Sequence, residues 1–311
     1  MALVHATVAT GTNDAAKQVS VNAWNAAHSI SVSLNFPDNS ASPATSPSSG
    51  LDLFCENPFQ AWRLLGVEDS AGGVKYLCPH PLRTNIFKMV PGSVATAAGI
   101  ATGIGFTFTA TANSFAIQVP TAGSAITLST RYTCVAQATA PSNTDIRPVQ
   151  MLACRAGGFV FQMTYALRTT STANRAFFGL MDTTSALGNS DWTTASTQAK
   201  IGVAINANTG NWKIVTGASG VAATNADLGA NFPVNTTDFF RLTFFCLSSD
   251  TTQVFYKVEN LTTGNSTTGT LSTNLPAAST FMTPHQYMTN NSNNIAVAFD
   301  STGWYVETHT V

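Results

Sequence analysis

From Phe159 to Arg168 the chain changes character at every step. Phe159, Phe161, Met163, Tyr165 and Leu167 fall on one phase, and Val160, Gln162, Thr164, Ala166 and Arg168 on the other. A period of two sends successive side chains to opposite faces, so this run predicts a strand with one buried face. Ile126, Leu128, Thr130, Tyr132 and Cys134 repeat the pattern, as do Ile104, Phe106 and Phe108, and Phe240, Leu242, Phe244 and Cys246. Other runs are joined by turn residues. Ile201, Val203 and Ile205 lead into Asn208-Thr209-Gly210-Asn211 and return through Trp212 and Ile214. Val254, Tyr256 and Val258 lead into Thr262-Thr263-Gly264-Asn265. Ile295, Val297 and Phe299 lead into Ser301-Thr302-Gly303 and a last strand over 304–307. Gly and Asn accept the positive φ that tight hairpin turns need, so each of these predicts a hairpin. With many short strands and no amphipathic helix longer than two turns, the fold class is all-β. A sandwich of antiparallel sheets suits strands with one buried and one solvated face. No repeat of fixed period occurs, which argues against a β-helix, a propeller or a periodic fibre shaft.

Ahead of the strands the pattern is different. Residues 1–36 are polar and weakly patterned. Within them Ser20 is placed to cap a short helix over 21–28, which puts Val21 and Trp24 on one ridge at i, i+3. An arm this small cannot bury its own tryptophan, so a partner surface is the expected neighbour of Trp24. Residues 37–50, PDNSASPATSPSSG, hold no core-forming residue and read as a Pro/Ser-rich spacer. Fully extended, such a stretch reaches roughly 40 Å. The sandwich is predicted over 51–311, with 51–100 either part of it or a separate collar, since Gly50 and the proline-rich 79–91 allow both.

Composition sharpens this picture. Of the 311 residues 44% are hydrophobic, enough for a large core, but only 9% are charged, against about 25% in ordinary soluble domains. A surface with so few charges suits a protein held in an assembly. The net charge of −1, with scattered Lys and Arg, leaves no basic stripe for phosphates and so no expected nucleic-acid partner. No apolar run approaches the length of a membrane helix, and no membrane insertion is expected. The first residues, MALVHATVAT, lack a basic region and a long apolar stretch, so no signal peptide is read there and synthesis is expected in a cytoplasm. Cys55, Cys78, Cys134, Cys154 and Cys246 form no CxxC pair and read as free thiols, with Cys134 and Cys246 on apolar strand phases.

Candidate chemistry is sparse. The only glutamates are Glu56, Glu68, Glu259 and Glu307, and the adjacent Glu68 and Asp69 point apart on a strand. That is poor material for the paired acids of a glycosidase, although distant strands can bring acids together. The histidines His5, His28, His80, His285 and His309 show no HExxH or paired metal spacing, and Cys78-Pro79-His80 reads as a turn. No catalytic residue, metal site or cofactor is predicted. Asp182, Asn189 and Asp191, or Asp300 with Asn293 and Asn294, carry oxygens of the kind calcium takes, but polar loops of this sort usually serve only as solvated turns. Two loops have the makeup of a sugar contact, an aromatic ring beside planar polar groups: Asp191 with Trp192, and Tyr287 with Asn290 and Asn291.

Two parts of the chain resemble known proteins. Gln18-Val19-Ser20-Val21-Asn22-Ala23-Trp24-Asn25, with His28 shortly after, resembles the N-terminal segment of many tailed-bacteriophage structural proteins, tail fibres especially. The pieces LGANFP (228–233), VFYKVENLTTGNSTTGTL (254–271), TNNSNNIAVAFD (289–300) and WYVET (304–308) resemble the C-terminal half of a family of phage virion proteins. The likeness is good over 228–307 and loose over 75–227. It implies a jelly-roll sandwich of the concanavalin-like, lectin-like kind and a place in the virion. It implies docking through Val19, Val21, Trp24 and His28 onto other virion proteins of tail or capsid. A tail fibre or tail-associated adhesin would be a homotrimer presenting its sandwich to a host-surface glycan. A capsid decoration or head-fibre protein is the alternative, and a surface-polysaccharide hydrolase is a rival of a different class.

Overall fold

The structure is a computed structural model. It describes residues 126–308 except 208 and 249, together with 85–91, 102–103, 106–111, 114–123 and the strand backbones at 38–39, 51–56, 64–69 and 74–76. Residues 1–37 lie outside the described residues, and with them the docking residues Val19, Val21, Trp24 and His28. The Cys78-Pro79-His80 turn also lies outside them.

Strands form where alternation and β-branched or aromatic residues coincide. In chain order they are β1 (Asp38–Asn39), β2 (Leu51–Glu56), β3 (Leu64–Asp69), β4 (Val74–Tyr76), β5 (Asn85–Met89), β6 (Thr102–Gly103) and β7 (Phe106–Thr111). Then come β8 (Ser114–Gln118), β9 (Arg131–Ala136), β10 (Asn143–Pro148), β11 (Phe159–Thr169), β12 (Arg175–Met181), β13 (Lys200–Ile205) and β14 (Lys213–Gly217). The last seven are β15 (Thr224–Asp227), β16 (Phe240–Leu247), β17 (Asp250–Asn260), β18 (Ser266–Leu271), β19 (Thr283–Thr289), β20 (Val297–Ser301) and β21 (Trp304–Thr308).

β1 to β4 pair only with one another, in a small four-stranded sheet. Asp38 and Asn39 fall inside the stretch read as spacer, yet they pair in parallel with Cys55 and Glu56. β5 instead joins β21. Of the region read as collar or sandwich, then, β2, β3 and β4 belong to a separate sheet and β5 pairs into the sandwich.

The sandwich stacks two antiparallel sheets. One has eight strands in the order β15-β14-β13-β12-β19-β10-β7-β6. The other has nine, with β18-β17-β16-β11-β20-β9-β8 as its main path and β21 and β5 branching from β11. The core lies between them, where Phe161, Met163, Leu242 and Phe244 of the nine-stranded sheet meet Phe178, Leu180, Ile201 and Val203 of the other. Tyr165 is its aromatic hub. It stacks on Phe178 (centroids 4.7 Å, 13°) and Phe240 (5.4 Å, 21°) and meets Trp212 edge-on at 4.8 Å. Each such pair contributes about 0.5–1.5 kcal/mol beyond area burial. Cys134 and Cys246 are fully buried in this core, as their strand phase predicts.

Two local predictions fail. Residues 126–128 form a turn, not the start of a strand, and regular pairing begins at Arg131. Ile126 is apolar because it plugs a small cluster with Ala166 and Phe239 from a loop. Ser301-Thr302-Gly303 is not a hairpin turn either. β20 and β21 both run antiparallel to β11, one beside its C-terminal part and the other beside its N-terminal part. From Asp300 to Trp304 the chain advances four residues while β11 goes from Ala166 to Met163, so the Ser-Thr-Gly stretch is a bulge holding one extra residue in a strand that continues. Beyond the bulge the partner on the far side changes from β9 to β5. Gly303 has φ 115°, and a Cβ there would lie 1.9 Å from the Met89 carbonyl oxygen, so only glycine permits this fork.

Candidate functional site

Ionisable side chains gather on the face of the eight-stranded sheet that points away from the core. Strand alternation places Asp145 and Arg147 of β10 there, His285 and Tyr287 of β19, Arg175 and Phe177 of β12, and Lys200 of β13. In register Asp145 stands opposite Tyr287, which stands opposite Phe177. This face is not open. The loop 182–199 between β12 and β13 folds back over it as a lid, and Leu187 and Trp192 pack down onto Phe177, Met181, Ala204, Val215 and Tyr287.

Polar contacts fasten the lid along its length. The Asp145 carboxylate accepts from the Leu187 amide at 3.0 Å and from Arg147 Nη1 at 3.0 Å. Arg147 Nε donates to the Thr184 carbonyl at 2.7 Å. His285 Nδ1 lies 3.1 Å from Asp145 Oδ1, and its Nε2 donates to the Thr183 carbonyl at 2.6 Å. Farther along, Tyr287 donates its hydroxyl to the Gly188 carbonyl at 2.7 Å, and Asn225 Nδ2 donates to the Thr193 carbonyl at 3.0 Å. Lys200 Nζ donates to the carbonyls of Ala195 and Gln198 and lies 5.7 Å from the centroid of the Trp192 ring. Burial lowers the Lys200 ammonium to about 8, opposed by the nearby Asp182 carboxylate. Burial pushes the Asp182 carboxyl up. The Tyr287 phenol is pushed up by the same cause.

The residues expected to touch a sugar are placed here, but not as an exposed platform. Trp192 is 2% exposed and Tyr287 not at all, and their rings meet edge-on at 6.3 Å inside the lid. A sugar stacks on an open ring face, and neither ring has one. Asp191 accepts from the Thr193 amide and hydroxyl at 2.9 and 2.6 Å, forming the turn that aims Trp192 inward. Asn290 is fully buried and staples three loop carbonyls, those of Gln137 (2.9 Å), Thr139 and Ile295 (both 3.2 Å), while accepting from the Ser142 amide. Asn291 takes a positive φ of 53° and accepts from Asn189 Nδ2 at 2.6 Å. The structure therefore uses these five residues as supports of the lid and its neighbouring loop.

The calcium-like oxygens do not converge. Asp191 is spent on its own turn, and Asp300 is buried against Arg131 at 2.9 Å. Asn293 and Asn294 bond to Thr172 and the Ala140 amide. Among the described residues no group of three or more His, Cys, Asp or Glu side chains is placed to hold a metal ion. Glu259 binds Arg241 through two contacts, at 2.7 and 3.1 Å. Burial raises the Glu259 carboxyl, but Arg241 and Lys257 outweigh it and hold it below the ordinary carboxylate range. Sequence reasoning missed Asp145, Arg147, His285 and Lys200. The available signal was the run 283–289, where polar residues occupy both phases, as they do in a strand buried on both faces.

No protein-family model matches the chain, and no curated protein matches it. Solved structures with a similar course of the chain include a protein of unknown function from Shewanella oneidensis MR-1, at 11% identity and a TM-score of 0.49, covering 74% of this chain and 90% of that one. Peanut lectin with a nine-residue peptide gives 12% identity and 0.46, covering 73% and 98%. The lectin UEA-II complexed with galactose gives 13% and 0.45, covering 73% and 100%. At such identities the likeness concerns the β-sandwich alone.

Proposed function

We propose that this chain is a non-enzymatic structural protein of a tailed-bacteriophage virion, a tail fibre or tail-associated adhesin. Residues 1–36 dock onto other virion proteins through Val19, Val21, Trp24 and His28. The sandwich is then presented, in a trimer, to a host-surface glycan. The observation that carries this reading is the 18–28 motif standing ahead of a β-sandwich whose strands include the virion-like pieces at 228–308. The lid adds support for binding over chemistry, because Asp145, Arg147 and His285 are each engaged in fastening 182–199.

Full-length protein carrying Trp24→Ala tests the docking half. It should be as soluble and as stable as wild type yet missing from purified particles. Particles holding the variant at wild-type copy number would overturn the reading. That same copy number separates tail from shell: tens of copies or fewer fit a tail, whereas hundreds favour a capsid decoration protein. Release of reducing sugar from host polysaccharide would replace the adhesin with a hydrolase.

A further inference from the structure

β15 ends the eight-stranded sheet and β18 ends the nine-stranded one, and between these edges a cleft of about 210 Å³ enters the sandwich. Its floor is Ile214 and Leu271, and no charged residue lines it. Tyr256, Thr216 and Ser272 bring polar atoms to its wall. Neither the Tyr256 hydroxyl nor that of Ser272 bonds to a described residue. Burial pushes the Tyr256 phenol up, so it stays neutral and can both donate and accept.

Gly269 makes this arrangement possible. It stands opposite Tyr256 in register, and a Cβ on it would lie 2.6 Å from the Tyr256 hydroxyl oxygen. The ring thus crosses the edge strand with its tip at the cleft. Covering a strand glycine with an aromatic ring stabilises a sheet by itself. That role needs the ring and not the hydroxyl.

We infer that this cleft binds one neutral sugar residue, with Ile214, Leu271 and the Tyr256 ring against its C–H groups and Tyr256 and Ser272 on its hydroxyls. The inference rests on the adhesin reading and gives it a site. An uncharged lining offers nothing to offset a charged ligand's lost hydration. The volume lies below the roughly 300–1,000 Å³ of sites for drug-sized ligands, so a single ring fits where a longer chain would have to project outward.

Saturation-transfer NMR on the full chain, with glucose, galactose, mannose and N-acetylglucosamine each in turn, tests it. At least one sugar should receive magnetisation. Tyr256→Phe, which keeps the ring, should melt like wild type and bind that sugar about fivefold more weakly, the loss of one hydrogen bond. Ser272→Trp at the exposed rim should abolish the transfer. No transfer from any of the four, or transfer unchanged in both variants, would overturn the cleft. Binding of labelled protein to host cells is scored separately. Cell binding that survives both substitutions refutes the cleft and leaves the adhesin standing, whereas sugar binding by a protein absent from particles does the reverse.

Discussion

Lys200 shows how a single buried charge is tolerated on this scaffold. Its ammonium has no exposed surface, bonds two lid carbonyls and sits near Asp182, yet burial still lowers it to about 8. In the unfolded chain the same group titrates near ~10.4. Between those values the unfolded chain holds a proton that the folded chain has released, so this group's contribution to stability rises with pH there and is flat below about 8. Wild type should therefore gain on Lys200→Met by about 1 kcal/mol per pH unit from roughly pH 8 to 10. Urea unfolding of both proteins across that window measures it, and a constant difference would refute it. Taking the difference cancels other titrations, among them Cys134, whose thiol is pushed well up by burial. Such placements were only partly legible in the sequence. The phase of Cys134 and Cys246 marked them as core, because a strand's alternation is local. Trp192 and Tyr287 looked like surface aromatics because the polar run 182–199 reads as a solvated loop. What turns Trp192 inward is a long-range contact with β19 and a turn made by Asp191, neither of which has a sequence period.

Elements that pair locally were readable, and elements that depend on a distant neighbour were not. β11 and the hairpins β13–β14 and β17–β18 follow from alternation and Gly/Asn turns alone. The Ser301-Thr302-Gly303 stretch has the same turn chemistry, but β11 is long enough to align both flanking strands along one edge, so the chain continues instead of reversing. Thr164 secures this fork: its amide donates to the Gly303 carbonyl at 3.1 Å, and its hydroxyl accepts from the Thr302 amide at 2.9 Å. Gly303→Ala should then be among the costliest single-methyl additions in the protein. A Cβ 1.9 Å from the Met89 carbonyl has to push β5 off β21, at a positive φ that alanine disfavours. A loss of about 2–4 kcal/mol is expected from overpacking and backbone strain together. Hydrogen exchange should localise it to Phe87 and Val306, with the β17–β18 amides keeping their protection. Uniform loss of protection would show that the fork is not an independent element.

At the scale of the molecule, two sheets packed through apolar side chains have few means of fixing how they sit on each other. Gln286 supplies one. Lying on the core-facing side of β19, it accepts from the Tyr132 hydroxyl of the opposite sheet and donates to Ser301 Oγ at 2.8 Å. Gln286→Leu should cost about 2–3 kcal/mol by leaving buried partners unmet. Adding Tyr132→Phe should recover much of it, since removing both members of a buried hydrogen bond is far milder than removing one. Denaturant midpoints of the two single variants and the double variant check this, and strictly additive losses would deny the bridge. The next residue back, His285, faces the other way and holds the lid. A slip of β19 by one position would carry Gln286 out under the lid and His285 into the apolar interior, so both layers would reject the error at once. β19 is in effect a strand with a single reading frame, proofread from both sides.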